Sequence, residues 1–207
     1  MHPPRQHTLI KLFFSWYINR IIRSDFRRFD YNQVALDPGR ALLVLANHFS
    51  WWDGFFLFQL NRIFFKKRFH IMVTEENYRK VWFLKYLGAF SVKKKSRSIL
   101  ETLNYAGSLL NDPQNLVVIF PQGKLHSSHT DEVLFEKGLT NLINASEKKF
   151  QYVFAAIFTD YFEHRKPSLR CYLQTWEAAE FTSLQLIKSE YNKHFEASRK
   201  QQNQVIV

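Results

Sequence analysis

The sequence predicts an α/β fold, a mostly parallel central sheet flanked by helices, and three observations predict it. Unbroken apolar runs at residues 41–46, 116–120 and 152–158 have the length and composition of strands buried on both faces. Stretches with helical spacing lie between them. Helix-start and helix-stop residues mark the borders, as Ser98 with Glu101, Gly88, and Asp112-Pro113 do.

In order along the chain, residues 8–23 place Thr8, Lys11, Ser15, Asn19 and Arg23 every three or four positions and leave a broad apolar face. Such an amphipathic helix either packs deep in the domain or lies in a bilayer interface with Trp16 and Tyr17 at headgroup level. The interface is preferred here, because Arg20, Arg23, Arg27 and Arg28 suit an anionic leaflet. Residues 1–30 are therefore expected to form a membrane-associating N-terminal segment, and residues 31–207 the main domain.

Asp37-Pro38-Gly39 is a turn into the first strand, residues 41–46, and residues 55–60 read as the helix that follows. Residues 62–69 interleave cations with aromatics, a pattern shared by membrane surfaces, nucleic-acid grooves and solvated edges. A strand at 70–73, a helix at 75–87 closed by Gly88, and a strand at 89–92 come next. A helix capped at Ser98 runs to about residue 110, and the strand at 116–120 ends in Pro121-Gln122-Gly123-Lys124. Helical spacing at 133–148, strands at 152–158 and 169–173, and a helix from Thr182 and Gln185 to about 201 complete the chain.

Lys and Arg number 29 against 18 Asp and Glu, a formal net charge of +11, so the surface should attract an anionic partner. The 21 Phe point to a large apolar pocket, a lipid-facing surface or a bulky core. Cys171 is the single cysteine, which excludes an intrachain disulfide and suggests a reduced, cytoplasmic setting. No run approaches the eighteen or so apolar residues a spanning helix needs, and no secretory leader is evident.

The candidate chemistry lies at residues 46–54. His48 and Asp53 are five apart, which on one helix would separate them by about 140°. They can meet only if the chain turns between them, and Ser50 with Asp53 supplies a helix-start signature at that point. A histidine whose far nitrogen is held by a carboxylate is a general base. The plainer alternative is a capping aspartate beside a loop histidine. Because ligands of open α/β sheets bind beyond the carboxyl ends of the strands, Asn47-His48, Lys93-Lys94 and residues 121–123 should converge on one edge.

Taken together, these blocks resemble the glycerolipid (lysophospholipid) acyltransferase superfamily. Asn47, His48 and Asp53 match its Asn-His-x-x-x-x-Asp motif, and residues 87–94 resemble its Gly-Ala-Phe strand, with Lys93 and Lys94 where the family has Asp-Arg. Phe120, Pro121 and Gly123 match its Phe-Pro-Glu-Gly-Thr-Arg motif, in which Gln122, Lys124 and Leu125 depart. Residues 135–138 and Arg165-Lys166-Pro167 resemble two later blocks, while the fourth motif's proline is absent, so the likeness covers roughly residues 41–173.

The resemblance implies a glycerolipid acyltransferase-like fold and transfer of a fatty acyl group from acyl-CoA or acyl-carrier-protein to a lipid hydroxyl. His48 would be the general base, Asp53 its orienter, and Asn47, Lys93, Lys94, Phe120, Pro121, Gln122, Gly123 and Lys124 the substrate contacts. No cofactor or metal is expected. The expected partners are the thioester donor, the lipid acceptor and, peripherally, the cytoplasmic face of an anionic membrane, with no nucleic acid. Losing the arginine at Leu125 and the bidentate fork at Lys94 leaves two readings open. Either Lys124 or Lys93 replaces a phosphate clamp, or the acceptor is an amino- or glycolipid. The competing function is a non-catalytic basic module that binds anionic lipid or nucleic acid.

Overall fold

The computed structural model describes residues 1–92, 98–179 and 182–206. Helix α1 (Thr8–Asp25) leads into strand β1 (Arg28–Tyr31), and β2 (Leu42–Ala46) is followed by α2 (Asp53–Leu60) and a π-helical turn. Then come β3 (Arg68–Thr74), α3 (Glu75–Lys80), a 3-10 turn (Leu84–Leu87), β4 (Ala89–Val92), α4 (Ser98–Leu109) and β5 (Asn115–Ile119). Helix α5 (Gly138–Asn144), the hairpin β6 (Gln151–Asp160) and β7 (Ser168–Trp176), and α6 (Leu184–Gln202) close the chain.

The seven strands form one sheet in the order β1-β7-β6-β2-β5-β3-β4. Pairings from β6 to β4 are all parallel, and only β7, with β1 beside it, runs the other way. Side-chain alternation splits the core into two layers. Leu42 and Val44 face α1 and α2, whereas Leu43 and Leu45 face α4, α5 and α6. Both faces of β2 are therefore covered, which is why its five residues are all apolar and all buried.

Several elements differ from the sequence reading. The helix expected at 75–87 stops at Lys80, since the chain turns so that Phe83 can stack on Phe14 of α1, ring centroids 4.1 Å apart. Gly88 does close the segment, at φ +95°. Helical spacing at 133–148 yields a helix only over Gly138–Asn144, because Asn192 of α6 binds both the N–H and the C=O of Val133 and holds that stretch extended. The last helix is capped by Ser183, not Thr182. Strand β1 was not foreseen; it is too short to show alternation, and its pairing is extended by Asn32, whose amide bridges the N–H and C=O of Leu173.

Helix α1 turns part of its polar stripe into the fold. Ser15 is buried and Asn19 bonds Gln59 on α2, so part of the stripe packs inward with Ile18 and Ile22. Leu9, Leu12, Phe13, Trp16 and Tyr17 are left exposed. The boundary drawn at residue 30 falls inside β1. No helix among the described residues is long and apolar enough to cross a membrane.

Candidate active site

The parallel strands deliver their carboxyl ends to one edge, and there β2 runs into the turn before α2. Asp53 is the first residue of α2 and is fully buried. Its Oδ2 accepts three hydrogen bonds, from the backbone N–H of Phe49 (2.8 Å), the backbone N–H of Ser50 (2.9 Å) and His48 Nδ1 (2.8 Å). The reach back to Ser50 N–H is half of a capping box, although the Ser50 hydroxyl accepts from Trp52 N–H and so bonds only within the turn. The turn brings together two side chains that a continuous helix would separate.

A carboxylate can only accept, so His48 Nδ1 carries the proton and Nε2 is left with its lone pair free. The ring stacks on Phe120, with centroids 4.0 Å apart and planes 10° apart, which fixes its tilt. Burial raises the Asp53 pKa, while the hydrogen bond from His48 and the backbone N–H groups oppose the rise. Oδ1 of Asp53 is buried with no hydrogen-bond partner. The carboxylate is thus held entirely through the oxygen that holds the histidine.

The backbone of His48 is pinned from two sides. Gln122 Oε1 accepts its N–H at 2.6 Å, and its C=O accepts from His126 N–H at 2.9 Å. One residue earlier, Asn47 donates from Nδ2 to Ile157 O (2.9 Å) and accepts at Oδ1 from Ile157 N–H (2.8 Å), which extends the β2–β6 pairing past the last strand residue. Beneath this turn Tyr191 of α6, fully buried, donates its hydroxyl to Ala155 O at 2.9 Å and receives the Asn47 N–H.

His48 opens into a cavity of about 680 Å³ whose rim includes Phe120, Pro121, Gly123 and Lys124. Asn47 and Gln122, expected against the substrate, are instead buried and turned into the fold, where they hold the turn that carries His48. Lys93 and Lys94 lie outside the described residues. The sequence reading missed Tyr191, Ile157 and His126 as supports of the site. Two of the three act through backbone atoms, and nothing in a sequence marks those.

A family model described as Acyltransferase matches residues 27–157, which is more than half of the chain and contains the whole of the His48–Asp53 turn. The chain belongs to the acyltransferase family. Its fold is similar to the crystal structure of the 1-acyl-sn-glycerophosphate (LPA) acyltransferase PlsC from Thermotoga maritima, with a TM-score of 0.64. That likeness covers 93% of this chain and 79% of the other at 15% identity. No curated protein matches the sequence. Within the acyltransferase frame the departures at Gln122 and Leu125 stand in the same loop, one bonded to the backbone of His48 and the other exposed to solvent.

Proposed function

We propose that this acyltransferase moves a fatty acyl group from an acyl thioester, acyl-CoA or acyl-carrier-protein, to a hydroxyl of a lipid acceptor at a membrane surface. The observation that carries the proposal is the His48–Asp53 pair, protonated on the buried side and open on the cavity side. His48 Nε2 takes the hydroxyl proton as the acceptor oxygen attacks the thioester carbonyl; the tetrahedral intermediate then expels the thiolate, which is protonated by the imidazolium. Asp53 holds the tautomer and stabilises the imidazolium. Two N–H groups at the start of the α2 turn, those of Phe49 and Ser50, already serve Asp53 and are not free for the oxyanion.

The cavity wall is mainly apolar, which suits the fatty chain of the donor. Its ionisable groups, among the described residues, are His48, Lys124, Glu76 and Glu136. Lys124 on the rim suits either a phosphate clamp, with Lys93, or the headgroup of an amino- or glycolipid. The exposed apolar face of α1, continued by the ring of Trp82 against Phe14, supports peripheral docking on the anionic cytoplasmic leaflet.

The test is His48→Ala with purified protein, radiolabelled long-chain acyl-CoA and a total lipid extract as acceptor. Wild type should form a labelled lipid, and the variant should lose that activity by several orders of magnitude while keeping its fold. Acyl transfer that survives the substitution refutes the base; vesicle binding with no transfer by either protein favours a non-catalytic binding module.

A further inference from the structure

At the opposite edge of the sheet from His48, where β2 and β6 begin, the described residues enclose a second cavity of about 330 Å³. It lies where the last turn of α5 and the first turn of α6 diverge, with Tyr152 of β6 in its wall. Tyr152 pairs with Leu43, five residues before His48, so its level on the sheet is about 16 Å from the catalytic turn at ~3.3 Å per residue.

Tyr152 is 3% exposed, and among the described residues its hydroxyl makes no hydrogen bond. Burial alone raises its pKa, so it stays a neutral O–H donor with nothing to donate to. A buried hydroxyl left unpaired costs free energy that a bound acceptor recovers. The charges around the cavity are unequal in their commitments. Arg40 is held by the Glu177 carboxylate and the Phe150 carbonyl, and Glu147 pairs with Lys149. Lys148, at the rim, has no ion pair among the described residues. Leu184 opens α6, so the positive end of that helix dipole also lies in the wall. Ile143, Leu184 and Ile187 supply an apolar surface.

The occupant that answers these groups has one anionic, hydrogen-bond-accepting head and a hydrocarbon body. The volume is at the lower end for ligand pockets and suits about ten non-hydrogen atoms. We propose that this cavity is a regulatory site for a medium-chain carboxylate, whose head meets the Lys148 ammonium and the Tyr152 hydroxyl and whose tail lies on Ile143, Leu184 and Ile187. Regulation enters through α5, which is a wall of both cavities. Thr140, Ile143 and Asn144 share one helix face and line the second, whereas Gly138, Leu139 and Leu142 line the one that holds His48. A tail pressed against Ile143 therefore pushes Leu139 and Leu142 toward the catalytic cavity, because a close-packed two-turn helix moves as a unit.

Isothermal titration of the whole chain with octanoate, octanol and octylamine tests the site. Octanoate should bind saturably, octanol about tenfold more weakly, and octylamine not measurably. Tyr152→Phe removes a hydroxyl that has no partner in the protein, so the fold should be kept while octanoate weakens by about tenfold. Lys148→Gln should weaken octanoate at low salt and remove the salt dependence. Thr140→Phe should fill the cavity and abolish binding; if it melts too early to assay, Asn144→Trp, at an exposed position on the same wall, replaces it. Octanoate binding that these variants leave unchanged, or octylamine binding as tight as octanoate, overturns the site. In wild type, octanoate should also lower kcat/KM for hexadecanoyl-CoA by about fivefold, and Tyr152→Phe should need about tenfold more octanoate for the same effect. This arm rests on the acyltransferase reading above. Octanoate that binds through Tyr152 and Lys148 without changing turnover overturns the coupling through α5. A wild type that transfers acyl groups from no thioester overturns the acyltransferase reading and leaves the binding site standing.

Discussion

Gln122 reaches 2.6 Å from its side-chain oxygen to the backbone N–H of His48, so the residue that departs from the family's third motif holds the backbone of the proposed base. The carboxamide is buried, and removing it leaves the His48 N–H without its partner. For Gln122→Ala we expect kcat to fall by about tenfold to a hundredfold, because a misplaced base costs rate even when it is present. KM for both substrates should move little. Gln122→Glu keeps an acceptor oxygen at the same place and should recover most of the loss. Steady-state kinetics on the three proteins distinguish this support role from a substrate contact, which would raise KM.

Asp53 gives the clearest pH dependence. Its folded pKa is raised by burial above the unfolded value of about 3.8. Between those two values the folded chain holds the proton more tightly than the unfolded chain. The contribution of this group to stability is therefore full below the unfolded pKa and is lost as pH rises through the folded pKa. Asp53→Asn abolishes that loss, so its melting temperature should equal or exceed that of wild type near neutral pH. Its difference from wild type should shrink in acid. Activity should collapse by about 10³–10⁴-fold, as when the orienting carboxylate of a histidine base is neutralised. Thermal melts across a pH series, with parallel assays, check both halves.

Asn47 is expected to matter chiefly to stability. Asn47→Ala would leave both the N–H and the C=O of Ile157 unpaired in a buried place, at a cost on the order of 2–4 kcal/mol for two groups. Asn47→Asp keeps the acceptor but sets a carboxylate against the Ile157 carbonyl, and should be at least as damaging. Tyr191→Phe removes one hydroxyl from the same neighbourhood and should cost about 1–2 kcal/mol. Denaturant titrations order the three.

The fold class and the dyad were legible because both rest on local signals. Strand β2 is an unbroken apolar run, and the turn carries its own capping pattern, so the meeting of His48 with Asp53 follows from residues within one short stretch. What supports them was not legible. Gln122 is 74 residues away in sequence from His48, and Asn47 is 110 from Ile157, and such pairings exist only once the sheet has formed. The same holds for α3, which the sequence extends to residue 87 and which ends early to satisfy a Phe83–Phe14 contact. Long-range packing overrode local propensity there. Nor does the sequence show that part of the α1 polar stripe faces a polar partner inside the fold. The Asn19 side-chain oxygen accepts from Gln59 and the Ser15 backbone carbonyl from Arg62, and the apolar side is left outside.

That outward face supports the last prediction. Leu9, Leu12, Phe13, Trp16 and Tyr17 recur with helical spacing on one side of α1, and Trp16 is 55% exposed, an unusual degree for an indole. Around them Lys11, Arg20 and Arg23 are exposed cations. Apolar insertion and electrostatic attraction should therefore act together on an anionic bilayer. Flotation with vesicles containing one-third phosphatidylglycerol should carry wild type upward at low salt and retain part of it at high salt. Phe13→Ser with Trp16→Ser should weaken binding in both, whereas Arg20→Gln with Arg23→Gln should weaken it at low salt and leave the salt-resistant fraction. Because Ile18 and Ile22 point into the core, neither pair of changes should disturb folding. Unchanged flotation of the Phe13/Trp16 variant would place the docking surface elsewhere on the molecule.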